Sequence, residues 1–317
     1  MKIAFLLYPT SSVNIHEDSS FWVMWELKKR GHEVFYFESR YLSWMRQAPH
    51  ARLTQARLDL KKGYLPSSIS RFATDLSTFD CIFIRKEPPF DIGYLYALDM
   101  LETIKDRVFI LNDPRGIAMC NEKLFALTFK KYAPESLVTE NIDFAGAFIK
   151  NLRHQVVLKP LDEKGGNGIV ATSFKDGNLS AQLEDATHHG TKKVLIQRFV
   201  SARQFGDKRI VLLNGKILGA FLRKPPAHDF RANLSVGGSM HKTSVSAFDK
   251  KLVEEIIPNL LSYGLYFVGI DVIGKFLTEV NVTSPAGIPE VNYLNKTHLE
   301  KEVADFIEDY SRRAVTR

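Results

Sequence analysis

The stretch Phe267-Val-Gly-Ile-Asp271-Val-Ile-Gly-Lys-Phe-Leu-Thr-Glu279-Val-Asn281-Val-Thr-Ser284-Pro285 reads as two apolar strands joined by a tight turn, with three oxygen-bearing side chains among residues that belong inside a protein. Unpaired carboxylates are costly in such strands, so a compensating cation is expected. Two carboxylates and an amide oxygen are hard donors suited to Mg²⁺, which keeps waters and bridges to phosphate oxygens. Salt-bridged structural acids are the alternative.

The turn decides whether those three side chains can act together. Glu279 and Asn281 share a face because side chains alternate along a strand, and Asp271 joins them only opposite an odd-numbered residue. A two-residue Gly274-Lys275 loop pairs 271 with 278 and turns Asp271 away. A shared cation therefore predicts a three-residue loop such as Gly274-Lys275-Phe276, or a bulge that restores the face.

Upstream, Val156-Val-Leu-Lys159-Pro160-Leu-Asp-Glu-Lys164-Gly165-Gly166-Asn167-Gly168-Ile169-Val170 is a buried strand ending in a lysine, a glycine-rich turn and a second strand. Glycines let backbone N–H groups converge on phosphate oxygens, and the lysine adds a point charge. The spacing is neither that of a P-loop nor that of a dinucleotide fingerprint opening a helix. A flexible hairpin with a surface lysine is the plain alternative.

Between these segments, Asn214-Gly215 separates the apolar runs Asp207–Leu213 and Lys216–Arg223, which predicts a hairpin with a type I′ turn. Arg209 and Arg223 then fall at the same end, where guanidiniums suit phosphoryl oxygens and developing acyl charge; exposed surface arginines are an equal alternative. The polar run that follows, from Lys224 to Ser239, is long enough to be a closing lid. His228 and His241 have no Ser or Cys partner pattern and read as solvated loop residues.

In the first half, strand-like runs at 2–8, 33–37, 81–85 and 108–111 alternate with helical patterns such as 19–30, which gives an α/β fold with a mostly parallel sheet. Segment 40–78 has weak periodicity and reads as an excursion or exposed loop. From residue 121 the texture changes, with helices expected near 142–151, 178–187, 246–263 and 298–314. The 317 residues, 45% hydrophobic and 25% charged, describe a chain folded throughout. No window is long and apolar enough to span a bilayer, and the two cysteines, Cys81 and Cys120, have neither disulfide nor metal spacing. A cytoplasmic protein without membrane or nucleic-acid partners is expected. The net charge of +7 is dispersed, so a polyanionic small molecule accounts for it as well as nucleic acid does.

In this order the motifs resemble the ATP-grasp superfamily, and within it the bacterial glutathione synthetase family. Arg85-Lys-Glu-Pro-Pro-Phe-Asp91 is similar to its R-K-x-P-P-F-D segment and Asn121-Glu-Lys-Leu124 to its N-E-K-L segment; Thr283-Ser284-Pro285 completes E-x-N-x-T-S-P, and Asn14-Ile-His-Glu-Asp18-Ser-Ser-Phe21 looks like the approach to its first helix. The resemblance implies an ATP-grasp fold preceded by a mostly parallel Rossmann-like N-terminal domain. The N-terminal domain would span 1–120 and the ATP-grasp domain 121–317, the latter divided into a lid subdomain at about 121–200 and a body at about 201–317. Lys123 and Lys159 would hold ATP phosphates beneath the Gly165, Gly166 and Gly168 turn, and Gln197, Phe199 and Val200 would lie along the adenine. Asp207 would contact ribose. Arg209 and Arg223 would take phosphates or an acyl phosphate, and Asn233 would close the lid. Asp271, Glu279 and Asn281 would hold Mg²⁺, with Mn²⁺ a possible replacement. Asp18, Ser19, Ser20, Arg85 and Ser284 would face a small-molecule or peptide substrate. The implied reaction joins γ-glutamylcysteine to glycine through an acyl phosphate, and a homo-oligomer is expected.

Three places depart from the family pattern. Ala232 and Ser239 replace a glycine and an arginine of the lid, Ala286-Gly-Ile-Pro289-Glu290 replaces T-x-I-R-E, and Glu163-Lys164 precedes the glycine pair. Another ATP-grasp ligase, acting on a different acid or amine, is the nearer alternative. A nucleic-acid-binding module with a vestigial nucleotide site is the remote one.

Overall fold

A computed structural model describes residues 1–9, 16–56, 70 and 72–315. In chain order the strands are β1 (Lys2–Leu7), β2 (Glu33–Glu38), β3 (Leu42–Met45), β4 (Ala48–Arg52), β5 (Thr54–Gln55), β6 (Ala73–Asp75), β7 (Cys81–Arg85), β8 (Phe109–Leu111), β9 (Ser136–Thr139), β10 (Val156–Pro160), β11 (Val170–Thr172), β12 (Val194–Arg198), β13 (Asp207–Leu213), β14 (Lys216–Lys224), β15 (Ser239–Lys242), β16 (Phe267–Ile273) and β17 (Phe276–Asn281). The helices are α1 (Ser19–Lys29), α2 (Ile92–Glu102), α3 (Pro114–Met119), α4 (Glu122–Thr128), α5 (Ile142–Leu152), α6 (Leu179–Ala186), α7 (Ala202–Phe205), α8 (Ala247–Ser262), α9 (Ile288–Asn295) and α10 (Leu299–Val315).

The first sheet has the order β5-β2-β1-β7-β8 and is parallel except where β5 joins its edge. Its central strands are buried on both faces, as near-continuous apolar runs require. Asp18 starts α1 by accepting a hydrogen bond from the Ser20 N–H at 2.6 Å, and Lys28 and Lys29 oppose the dipole at its other end. Two antiparallel sheets follow, β11-β10-β12-β9 and β15-β14-β13-β16-β17. Apolar residues of the first and last sheets share cores, whereas β10, β12, α5 and α6 close a cluster of their own around Ile149, Leu158, Leu183 and Ile196.

The Asn214-Gly215 turn has both residues at positive φ, 49° and 76°, as a type I′ turn requires. It pairs Asp207 with Arg223 and Arg209 with Phe221, so both arginines sit at one end. Segment 40–78 needs correction: its described residues include β3, β4 and β6, a small antiparallel sheet, in place of the expected loop. Asn14 and residues 57–69 lie outside the described residues. Helices α2, α3, α7 and α9 were not foreseen; α2 begins where Asp91 caps the Tyr94 N–H at 2.7 Å.

One side chain ties the first sheet to the last. Asn112, directly after β8, donates to Phe267 O and Val282 O at 2.8 and 2.9 Å and accepts from the N–H groups of Tyr266 and Phe267, both at 2.8 Å. The strands carrying the acidic residues are thereby fixed against the parallel sheet.

Candidate active site

A cavity of about 100 Å³, partly open to solvent, lies between the β9–β12 sheet and the β13–β17 sheet. Lys123, Lys159, Gly165, Gly166, Gln197, Phe199, Val200, Asp207, Asn233, Asp271 and Glu279 all line it. Lys159, on β10, donates to Gln197 Oε1 at 2.9 Å on the neighbouring strand β12. Burial lowers its pKa, and the negative charge of Glu279 opposes that shift. Lys123 is 4% exposed; its ammonium donates to the Glu163 carbonyl at 2.6 Å and lies 3.4 Å from Glu279 Oε1. One buried and one half-buried ammonium beside one carboxylate make the floor of this cavity a place for a polyanion.

The glycine turn and the 224–240 segment close over the cavity together. Arg231 donates to Gly166 O at 2.9 Å and Ser235 to Gly165 O at 3.0 Å. Gly166 has φ +81°, and a Cβ there would stand 2.7 Å from Asn233 Oδ1, so the approach of the two loops requires glycine. Lys164 forms an ion pair with Glu87 of the N-terminal part, and the Phe90 N–H donates to Asp162 O at 3.3 Å.

Beneath the cavity the arginines and acids form a buried network. Arg209 holds Asp271 through two contacts of 2.5 and 2.9 Å, and Arg223 bridges Asp271 and Asp207 at 3.0 and 2.7 Å. Burial raises the pKa of the Asp271 carboxyl, but the two guanidiniums outweigh it and hold the group below the usual carboxylate range. Asp207 is shifted upward, because burial there exceeds what Arg223 recovers.

The hairpin turn is the two-residue Gly274-Lys275 loop, with Ile273 opposite Phe276. A bulge then shifts the register, so Asp271 faces Glu279 and Gly269 faces Asn281. The bulge is the second of the two geometries that a common cation demands. Asn281 donates to Asp271 Oδ2 at 3.3 Å and to Gly269 O at 3.2 Å, which ties the amide into the same face.

Comparison with known proteins decides the family. Residues 1–118 match the model of the prokaryotic glutathione synthetase N-terminal domain, and residues 122–296 match that of the prokaryotic glutathione synthetase ATP-grasp domain. The glutathione synthetase of Gloeobacter violaceus is 38% identical over 100% of this chain and 99% of its own, and that of a Nostoc species is 37% identical over 97% and 98%. The chain belongs to the prokaryotic glutathione synthetase family. It is an ATP-grasp ligase. Among solved structures, the ATP-grasp ligase PsnB complexed with a minimal precursor aligns with a TM-score of 0.64 at 15% identity, covering 97% of this chain and 98% of that one. D-cycloserine synthetase DcsG aligns with a TM-score of 0.65 at 12% identity, covering 96% and 99%. At such identity these two carry the fold alone.

The family motifs explain one another here. Asn121 caps α4 by accepting from the Lys123 and Leu124 N–H groups, both at 3.1 Å. Next to it, buried Glu122 accepts from the Val282 and Thr283 N–H groups and the Thr283 hydroxyl at 2.9, 3.1 and 2.7 Å. The N-E-K-L and T-S-P segments are therefore two halves of one joint. Sequence reasoning missed the role of Glu122, whose signal is an acid placed beside Lys123 in the N-E-K-L segment.

Other expected site residues lie outside the cavity. Gly168, Asn281 and Ser284 are not among its lining residues, and Arg209 and Arg223 stand behind Asp271. Asp18, Ser19, Ser20 and Arg85 gather at the start of α1. There Asp18 accepts from the Tyr8 hydroxyl at 2.5 Å, Ser20 Oγ accepts from Arg85 Nε at 2.9 Å, and Ser19 Oγ accepts from the N–H groups of Gly287 and Ile288. Cys81 and Cys120 are buried and free. Among the described residues no helix is long and apolar enough to cross a membrane.

Proposed function

We propose that the chain joins γ-glutamylcysteine to glycine at the expense of ATP, releasing ADP and phosphate. The observation that carries this reading is the convergence, on one cavity in a glutathione synthetase family member, of Lys123, Lys159, the glycine turn and the Asp271–Glu279 pair. Phosphoryl transfer needs positioning and charge neutralisation more than a nucleophilic side chain, and this set of residues supplies both.

Lys123 and Lys159 hold the phosphates, with backbone N–H groups of the glycine turn above them. Phe199 and Val200 follow β12 and flank the base, and Asp207 takes the ribose. Asp271 and Glu279 would hold a divalent cation, being hard oxygen donors that face one another across one hairpin, with Asn281 beside them. Mg²⁺ or Mn²⁺ held there would supply charge neutralisation to phosphoryl oxygens. Arg209 and Arg223 lie close enough to Asp271 to stabilise charge as the γ-phosphoryl group passes to the substrate carboxylate. The glycine amine then attacks the acyl carbon and phosphate leaves. Asn233, Arg231 and Ser235 keep the lid shut over an intermediate that water would destroy. A biosynthetic ligase of this kind works in the cytoplasm on small molecules, and a homo-oligomer is part of the proposal.

Phosphate release by the purified protein with Mg²⁺-ATP is expected only when γ-glutamylcysteine and glycine are both present. Release with a different acid and amine, and none with this pair, would favour the second reading. The motivation for it is the substitution of Ala232, Ser239, Ala286 and Pro289 into otherwise shared motifs.

A further inference from the structure

The glycine turn is held from outside its own sheet. The residues just ahead of its glycines have partners in other parts of the chain: Leu161 O accepts from Asn121 Nδ2 at 2.9 Å, Asp162 O from the Phe90 N–H at 3.3 Å and Glu163 O from the Lys123 ammonium at 2.6 Å. Next in line, the Lys164 ammonium pairs with the Glu87 carboxylate and lies over the Tyr8 ring, 5.6 Å from its centroid. Lys164 lines the cavity between the two antiparallel sheets, whereas Glu87 does not.

The two sides of that ion pair differ in stiffness. Around Glu87, Pro88 and Pro89 fix φ at consecutive positions, Phe90 stacks on Tyr94 with centroids 4.7 Å apart, and the Tyr94 hydroxyl donates to Lys86 O at 2.7 Å. Beyond Lys164, Gly165, Gly166 and Gly168 all stand at positive φ, in a stretch whose glycines leave the backbone wide freedom. A soft turn tied to a stiff post takes its position from the post.

We propose that Lys164 is a positioning residue: its ion pair with Glu87 seats the glycine turn over the cavity, so that the backbone N–H groups of the turn are in place when nucleotide phosphates arrive. The assignment rests on the reading of the cavity as the nucleotide site, and it gives the N-terminal part a share in nucleotide binding. Direct contact between the Lys164 ammonium and a phosphate is the competing role. The two differ in the sign expected at Glu87. Neutralising Glu87 loosens the turn if Lys164 positions it, and frees the ammonium for phosphate if Lys164 binds directly.

Calorimetric titration of the full chain with Mg²⁺ and AMPPNP, an ATP analogue that is not hydrolysed, tests this. The Lys164 and Glu87 side chains are 45% and 26% exposed, so the pair is screened by solvent, and Lys164→Ala and Glu87→Gln should each weaken binding by about 2- to 5-fold. The exchanged pair, Lys164→Glu with Glu87→Lys, should bind within about twofold of wild type. Amide hydrogen exchange across residues 164–169 should be faster in both single variants and return toward wild type in the exchanged pair. In the ligase assay the loss should fall on KM for ATP, with kcat kept. Unchanged or tighter binding by Glu87→Gln, or an exchanged pair no better than the single variants, would overturn the positioning role and leave the nucleotide site standing. No binding of AMPPNP by the wild-type chain would overturn both.

Discussion

Asp271 lies directly opposite Glu279, although only Gly274 and Lys275 turn the chain between their strands. An even loop should put them on opposite faces, and the bulge at Thr278 cancels the mismatch. The Thr278 hydroxyl donates to Asp271 O at 3.1 Å inside that bulge, so the irregularity is pinned. Glu279→Ala removes one of the two facing carboxylates and leaves the bulge in place. ATP turnover by that variant is therefore expected to fall below about one hundredth of wild type, a loss of about 2.7 kcal/mol in transition-state stabilisation. Comparable activity would show that the pair of carboxylates is not needed.

Lys159→Ala should abolish turnover and leave the fold intact. The ammonium is desolvated in the folded chain, so its removal relieves a cost while leaving Gln197 Oε1 without a donor, a penalty of about 1–3 kcal/mol. Phosphate release and thermal unfolding measured side by side check both halves. Retained activity would remove Lys159 from the site.

Glu122→Ala is expected to destabilise the chain by about 3 kcal/mol, because three donors at Val282 and Thr283 lose their common acceptor. Urea denaturation gives the number directly. A variant as stable as wild type would mean that the joint between the two motifs is unimportant to the fold.

Gly166→Ala tests the closed lid. A side chain at φ +81° with its Cβ 2.7 Å from Asn233 Oδ1 is strained by about 1–3 kcal/mol, and the strain is relieved if the loops part. Faster proteolysis of the 224–240 segment and a lower kcat/KM for ATP should appear together. Unchanged cleavage would contradict the contact.

Asp229 provides a pH signature for the same lid. Its hydrogen bonds from Arg231 lower its pKa from an ordinary 3.8 to about 2. A carboxylate depressed in the folded state contributes stability that is present above its ordinary value and is lost as pH falls toward its folded one. Asp229→Asn should therefore lower the protection of the 224–240 segment against hydrogen exchange near neutrality. The difference from wild type should shrink as the pH falls from about 4 toward 2. A difference that does not change with pH would sink this account of the pair.

The parallel sheet, the Asn214-Gly215 hairpin and the long helices were legible in the sequence because each has a strong local signal, either an apolar run, a turn dipeptide or a 3.6-residue stripe. Helix α2 was missed because its sequence, Ile92 to Glu102, is apolar nearly all round and shows no stripe. The strands β3, β4 and β6 contain two to five residues each once β5 is included, too few for a period to emerge. Of the cavity lining, Lys123, Lys159, Gly165, Gly166, Asp271 and Glu279 were readable because charged groups and glycines stand out beside apolar strands, whereas Gly168 and Asn281 fall outside it. What was not readable is the long-range bonding: the Asn112 clasp on Phe267 and Val282, and the Glu122 joint to Thr283, span more than 150 residues of sequence and leave no local pattern.

If the acid's carboxylate takes up the γ-phosphoryl group before the amine attacks, one of its oxygens leaves with phosphate, and ¹⁸O follows that oxygen. With γ-glutamylcysteine labelled in its cysteinyl carboxylate, and with Mg²⁺-ATP and glycine, one labelled oxygen is expected in each phosphate released. Glutathione formed with unlabelled phosphate would contradict it.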